Sequence, residues 1–284
     1  MTATSDSTAD GPPTQHRRNR RRLLAAVGLV AVLGVAVIAV LLWSRATVDP
    51  VSTDTARQRA GVDPASSTSA APLVPVTGVY QYRGTGTEQL DRPPKTQLQG
   101  PDIPGTVTAL DGGCWRLRVD YNTNHWQSWD YCSTGTGLTE TGGEFFQRLE
   151  LGPVKVDTSS TSICDPPVDV IRPTQSAGDQ WRQTCSGTST ASDGEVTSAG
   201  PYTFVGEELL DIDQRGVATL HYHRVRTLGG GQSGTEDVNT WFDATTGLPV
   251  KNSRVITVRS DSPLGKVTYT ERGSFTLVSL TPTR

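Results

Sequence analysis

CWRLRVDYNTNHWQSWDYCS, residues 114–133, alternates large apolar residues with polar ones on both sides of a central Asn-Thr-Asn. Side chains on a strand point to opposite faces in turn, so this pattern predicts two strands joined by a turn. Pairing Cys114 with Cys132 makes opposing residue numbers add up to 246. One face then carries Trp115 on Tyr131, Leu117 on Trp129 and Val119 opposite Gln127. The other face carries Cys114 with Cys132, Arg116 opposite Asp130, and Arg118 opposite Ser128. A single register thus yields an aromatic face, a charge pair and a disulfide, and a slip by one residue destroys all three. The turn falls at Tyr121–His125, where Asn122 and Asn124 suit the backbone of a tight reversal.

The same texture continues on either side. Short runs rich in Val, Thr, Tyr and Trp, separated by Gly, Pro and Asp, predict strands near 78–84, 105–110, 114–121, 126–133, 137–149, 180–187, 195–204, 205–212, 217–228, 235–242, 249–260 and 264–279. No long stretch after residue 77 shows helical periodicity. Short connections imply an antiparallel meander, and the expected fold is mainly β: a curved sheet or half-barrel preceded by one transmembrane helix.

That helix is expected at Leu23–Trp43, LLAAVGLVAVLGVAVIAVLLW, twenty-one residues without a charge. At about 1.5 Å per residue it covers the roughly 30 Å hydrocarbon core. A cleaved signal peptide is the rival, with Ser44-Arg45-Ala46 as its cleavage site, but its apolar region would be only about 7–15 residues. Arg17, Arg18, Arg20, Arg21 and Arg22 precede the span and only Arg45 follows it closely, which places the N-terminus in the cytoplasm. The expected organisation is a basic cytoplasmic tail (1–22), the span (23–43), a linker rich in Ser, Thr, Pro and Ala (44–76) and an extracytoplasmic β-domain (77–284). Gly28 and Gly34 are six apart and do not form a close-packing dimer motif.

The chain carries a formal net charge of −3, with +3 on the first 22 residues and −6 on the rest. An acidic exterior argues against nucleic acid as a partner. All four cysteines, Cys114, Cys132, Cys164 and Cys185, follow the span, and an even count in an oxidising compartment reads as two disulfides. With Cys114 and Cys132 paired by the hairpin, Cys164 is left to Cys185, although four cysteines allow three connectivities. No pair has the short spacing of a zinc site. Each bridge closes a loop of about twenty residues, worth about 3 kcal/mol on chain-entropy grounds.

No catalytic constellation emerges. His221 and His223 share a strand face but lack a third ligand, so a solvated face is the better reading. Gly231-Gln232-Ser233-Gly234-Thr235 lacks the last glycine of a nucleophile elbow, and Leu228–Gly234 reads as a flexible hairpin loop. A phosphate loop ending at Gly265-Lys266 would need glycine where Ser260 stands. Glu207, Glu208, Asp211 and Asp213 surround one strand and its turn and read as a solvated face. No catalytic residue, metal ligand or cofactor is expected.

Trp241-Phe242-Asp243-Ala244-Thr245-Thr246-Gly247-Leu248-Pro249-Val250 reads as a strand end, an Asp-capped turn with Gly247 at positive φ, and a new strand. This stretch resembles the W-x-D-x-x-T-G-x-P turn of LolA-like half-barrel proteins, the group of LolA, RseB and the LppX/LprG type. The stretches around Gly78–Arg83 and Ser262–Tyr269 look more like uncharacterised membrane-anchored actinobacterial proteins. The resemblance implies a non-enzymatic cell-envelope protein that binds a partner protein or an amphiphilic ligand, such as a lipid, on the concave face of its sheet. This chain differs from the group in its apolar span and its disulfides, and no helix is expected to fill the concave side. An extracytoplasmic hydrolase using a carboxylate pair, or a purely structural surface protein, are the rival readings.

Overall fold

The computed structural model describes residues 48–61, 73–262 and 265–283. The expected tail and transmembrane helix at 23–43 lie outside the described residues; among those described, no helix is long and apolar enough to cross a membrane. Among the described residues one α-helix, α1 (Thr53–Ala60), precedes thirteen strands: β1 (Gly78–Asp91), β2 (Pro94–Gln99), β3 (Asp102–Ala109), β4 (Cys114–Asn122), β5 (His125–Ser133), β6 (Leu138–Leu151), β7 (Val154–Ile171), β8 (Gln180–Ser189), β9 (Glu195–Ile212), β10 (Arg215–Gly230), β11 (Gln232–Asp243), β12 (Pro249–Ser262) and β13 (Gly265–Leu277).

The hairpin of β4 and β5 has the register read from its sequence, with Cys114 opposite Cys132, Trp115 opposite Tyr131 and Arg116 opposite Asp130. Trp115 packs on Tyr131 with ring centroids 4.7 Å apart. The Arg116 guanidinium donates to both oxygens of Asp130, at 2.6 and 2.8 Å. From β3 to β13 each strand pairs antiparallel with the next, as expected of a meander, while β2 and β3 both pair with β1.

The half-barrel expectation requires a correction: the sheet closes. β1 pairs antiparallel with β13 from Tyr82↔Leu277 to Leu90↔Tyr269. β2 and β3 hold one common register against β1, from Asp91↔Pro94 to Gly78↔Val107, and are two halves of one strand interrupted at Gly100-Pro101. Twelve staves therefore complete the ring. Closure joins the two long edges of the sheet, the exposed template that open sheets must otherwise protect, and leaves short stretches such as the far edge of β2 without a ladder partner among the described residues. Glycines permit the bending: a Cβ on Gly187 would lie 1.8 Å from the Thr161 carbonyl oxygen, and one on Gly200 1.9 Å from that of Val225. Only a residue without a side chain allows strands to fold so tightly on each other.

Two further corrections follow. Strand β7 was not expected, because its inward row carries Thr158, Ser160 and Ser162 while Lys155, Asp157 and Ser159 face outward. Neither row is apolar, so the alternation that betrays a half-buried strand is missing. The supposed loop at Leu228–Gly234 is instead paired strand on both sides of Gly231, with Leu228 opposite Gly234, and Gly230 at φ 78° makes the reversal.

The linker expected at 44–76 is not wholly extended. Ser52 caps α1 by accepting from the Thr55 N–H, and Gly61 ends the helix in the left-handed conformation. Val51 and Ala56 cover Val79 on the outside of the barrel, and Arg59 reaches the buried Asp120 at 3.3 Å. Further on, Leu73 enters the core and its carbonyl accepts from Trp115 Nε1 at 3.2 Å. Small apolar contacts and a capped helical turn are enough to fold these segments onto the domain. Residues 62–72 lie outside the description.

One end of the barrel is solid. Tyr80, Tyr82, Trp115, Tyr131, Tyr222 and Phe275 fill it together with aliphatic neighbours, all nearly inaccessible to solvent. The turn between β11 and β12 closes this end as its sequence implies: Asp243 accepts from the Thr246 backbone and hydroxyl, and Gly247 takes φ 71°.

Candidate functional site: the barrel lumen

Above the aromatic plug the inward rows change character. In β10 the row running Tyr222, Arg224, Arg226, Leu228 places two arginines in phase with an aromatic and a leucine. In β12 it runs Val250, Asn252, Arg254, Ile256, Val258; in β13, Val267, Tyr269, Glu271, Gly273, Phe275. Pleating sends all of these charges into the barrel, where they form a polar layer.

The layer has two clusters. In the first, Glu140 of β6, only 4 % exposed, accepts from Arg226, receives the Tyr202 hydroxyl and lies 3.7 Å from Arg224. Arg226 also donates to the Gln183 side-chain oxygen, and Arg224 faces Glu236 at 3.5 Å. In the second, Arg254 donates to Glu271 at 2.5 Å and to Gln99 at 2.7 Å, and its guanidinium lies over the Tyr121 ring at 3.9 Å. Beneath it, His125 Nδ1 lies 2.7 Å from Glu88, a carboxylate that also accepts from Gln99 and Gln147. Buried charges persist only when paired and hydrogen-bonded, and both clusters meet that condition.

This pairing sets the protonation states. Burial opposes the charge of Glu140, but Arg226 and Arg224 outweigh it and hold the carboxyl below its ordinary range. Burial likewise opposes ionisation of Glu271, and Arg254 and His125 overcome it. Burial pushes the His125 pKa down, whereas Glu88 and Glu271 push harder and raise it. Neither Glu140 nor Glu271 is thus poised to donate a proton at neutral pH, as a glycosidase acid must be.

Between this layer and the opposite end of the barrel lies a cavity of about 580 Å³. The volume falls within the range of small-molecule sites, roughly 300–1,000 Å³. Thr158, Ser160 and Ser162 of β7, with Ser189 and Ser198, present hydroxyls among the aliphatic side chains of Leu149, Leu151, Val156 and Val196. Across the ring, Leu90, Leu228, Ile256, Val258 and Val267 add branched aliphatic surface, with Ser260 beside them. The arrangement can hold a mainly apolar molecule that carries a few hydrogen-bonding groups.

The other residues singled out from sequence fall elsewhere. Both disulfides form as paired above, Cys114–Cys132 and Cys164–Cys185. The first lies on the outer face of its hairpin; Cys185 of the second lines the lumen. Glu140 and these two sulfurs form a close cluster, but the disulfide leaves no thiolate to bind a metal. His221 pairs with Glu208 and His223 with Asp237, so the two imidazoles do not converge on one point. Glu207, Glu208, Asp211 and Asp213 are exposed, as a solvated face should be. The lumen charges were missed, yet one signal pointed to them: each shares the parity of the apolar residues on its own strand.

No protein-family profile and no curated protein matches the chain. Among solved structures it is similar to a hypothetical lipoprotein, YmcC, from Escherichia coli K12, at 13 % identity, over 79 % of this chain and 97 % of that one. The TM-score is 0.30, a level of agreement that supports no inference about function.

Proposed function

We propose that the chain is a non-enzymatic, membrane-anchored protein of the cell envelope whose extracytoplasmic barrel binds an amphiphilic ligand in its lumen. The observation that carries this reading is the cavity of about 580 Å³, lined mostly by aliphatic side chains with serine and threonine hydroxyls among them, over a floor of ion-paired charges. Catalysis needs a group held in an unstable protonation state or an activated nucleophile, and Glu140 and Glu271 are instead stabilised as anions by arginine. Two disulfides suit an oxidising compartment, and the apolar stretch at 23–43 supplies the anchor. Native mass spectrometry of the full chain extracted from its membrane tests the proposal. A discrete added mass of lipid size is expected, lost in a Val258→Trp variant whose indole fills the lumen. Repeated preparations without any added mass refute it.

A further inference from the structure

The segment that precedes the barrel is fastened to one stretch of its wall. The Thr123 N–H, in the turn between β4 and β5, donates to the Asp49 carbonyl at 2.9 Å. Asn122 beside it donates to the Leu98 carbonyl at 3.0 Å, and Arg59 of α1 reaches Asp120 of β4. With the apolar stretch at 23–43 as the anchor, five residues, 44–48, separate it from Asp49. Fully extended they span at most about 18 Å, of which about 6 Å crosses the head groups. The wall around Asp49 therefore stays within about 12 Å of the bilayer surface.

That wall carries aromatic surface on its outside. Phe145 and Gln147 line the lumen, so Phe146 between them points outward, and it stacks on Trp126 of β5 with ring centroids 6.0 Å apart. Neither ring is fully buried. Arg118 lies over Trp126 at 4.0 Å and Arg148 over Phe146 at 5.7 Å. Leu98, beside the turn, is 50 % exposed. The charges here are matched: Arg59 and Arg118 share Asp120, Arg148 pairs with Asp157, and Arg116 meets both Asp130 and Glu144. Cations and carboxylates balance, so the wall offers a polyanion no net attraction. Tryptophan flanked by arginine instead suits a membrane interface, where the ring sits among the head groups and the guanidinium reaches toward water and phosphate.

We infer that the outer wall formed by β4, β5 and β6 rests on the lipid bilayer, with Leu98, Trp126 and Phe146 in the head-group layer, so that the barrel is seated on the membrane rather than held clear of it. This rests on the membrane anchor proposed above. The full chain is placed in nanodiscs containing brominated phosphatidylcholine, with bimane on a cysteine introduced by Ser159→Cys or by Thr235→Cys. Ser159 is exposed opposite Phe146, and Thr235 is exposed on β11, across the barrel. Bromolipid is expected to quench the label at 159 at least about threefold more than the label at 235. Leu98→Glu adds a charge to the head-group contact at a position outside the core, and it should make the two labels equal. Equal quenching in the unaltered background, or a ratio that Leu98→Glu leaves unchanged, overturns the inference and leaves the anchor intact. A label at 159 that is shielded from aqueous iodide yet unquenched by bromolipid assigns the wall to a protein contact and overturns it too. A chain that does not co-elute with the nanodiscs refutes the anchor itself, and the inference with it.

Discussion

Replacing Glu140 by alanine removes one carboxylate from the centre of the polar layer and leaves everything around it in place. Glu140 is 4 % exposed, and Arg224 and Arg226 are 9 % and 5 % exposed, so water cannot readily take its place. Among the described residues, Arg226 would lose its one carboxylate partner, Arg224 would keep Glu236, and the Tyr202 hydroxyl would lose its acceptor. Breaking a buried pair from one side costs about 3–5 kcal/mol, because a charge is stranded in a medium that solvates it poorly. With a urea slope of about 2–3 kcal/mol per M, the unfolding midpoint should fall by about 1–2.5 M. Glu140→Met combined with Arg226→Met removes charge from both sides and should recover most of the loss, since apolar replacement of a buried pair is often neutral. The assay is urea denaturation of Glu140→Ala, of the singles Glu140→Met and Arg226→Met, and of their double variant, followed by tryptophan fluorescence. A loss below about 1 kcal/mol in Glu140→Ala, or strict additivity in the double variant, would refute the argument that the layer is held together by mutual pairing.

Other outcomes follow from the same structure. Non-reducing peptide mapping should recover Cys114–Cys132 and Cys164–Cys185 and no crossed pair, and Cys164→Ser with Cys185→Ser should cost about 3 kcal/mol for a loop closed over 21 residues. Stability should be highest between the ordinary carboxylate and imidazole values of 4.5 and 6.5. The lowered pKa of Glu140 adds stability that is present above 4.5 and lost as pH falls through its folded value. The raised pKa of His125 adds stability that is present below 6.5 and lost as pH rises through its folded value. His125 is enclosed by Glu88, Gln99, Tyr121, Phe145, Glu271 and Arg254, and His125→Gln should flatten the alkaline side of a thermal-midpoint profile; an unaltered slope would contradict the assignment. Gly200→Val should destabilise by about 3 kcal/mol or more, its Cβ pressed against the Val225 carbonyl, whereas Gly216→Ala meets only the flexible Leu209 side chain and should be near neutral; equal effects in thermal melts would dismiss the close-approach argument.

The hairpin at residues 114–133 was legible because every contact that fixes it is local: one turn, one register and a period of two. The same holds for the Asp243–Gly247 turn and, through the hairpin, for the pairing of the cysteines. Strand β7 was not legible, because its inward row of Thr158, Ser160 and Ser162 faces a cavity rather than a core, and a cavity imposes no apolar alternation. Closure was not legible either. It depends on β1 meeting β13 almost two hundred residues later, a contact that leaves no trace in either strand's own pattern. Arg224, Arg226 and Arg254 look, one strand at a time, like any charged residue on a sheet. Arg224 and Arg254 meet Glu236 and Glu271 across adjacent strands, but Glu140 comes from β6, and only the closed barrel brings it to Arg224 and Arg226. The sequence by itself determined the strands with an apolar face, the hairpin register and the disulfide pairing, because side-chain alternation is a local property of the pleat. The tertiary structure alone decided the barrel, its lumen and the buried charges, because those arise from which strands become neighbours in space.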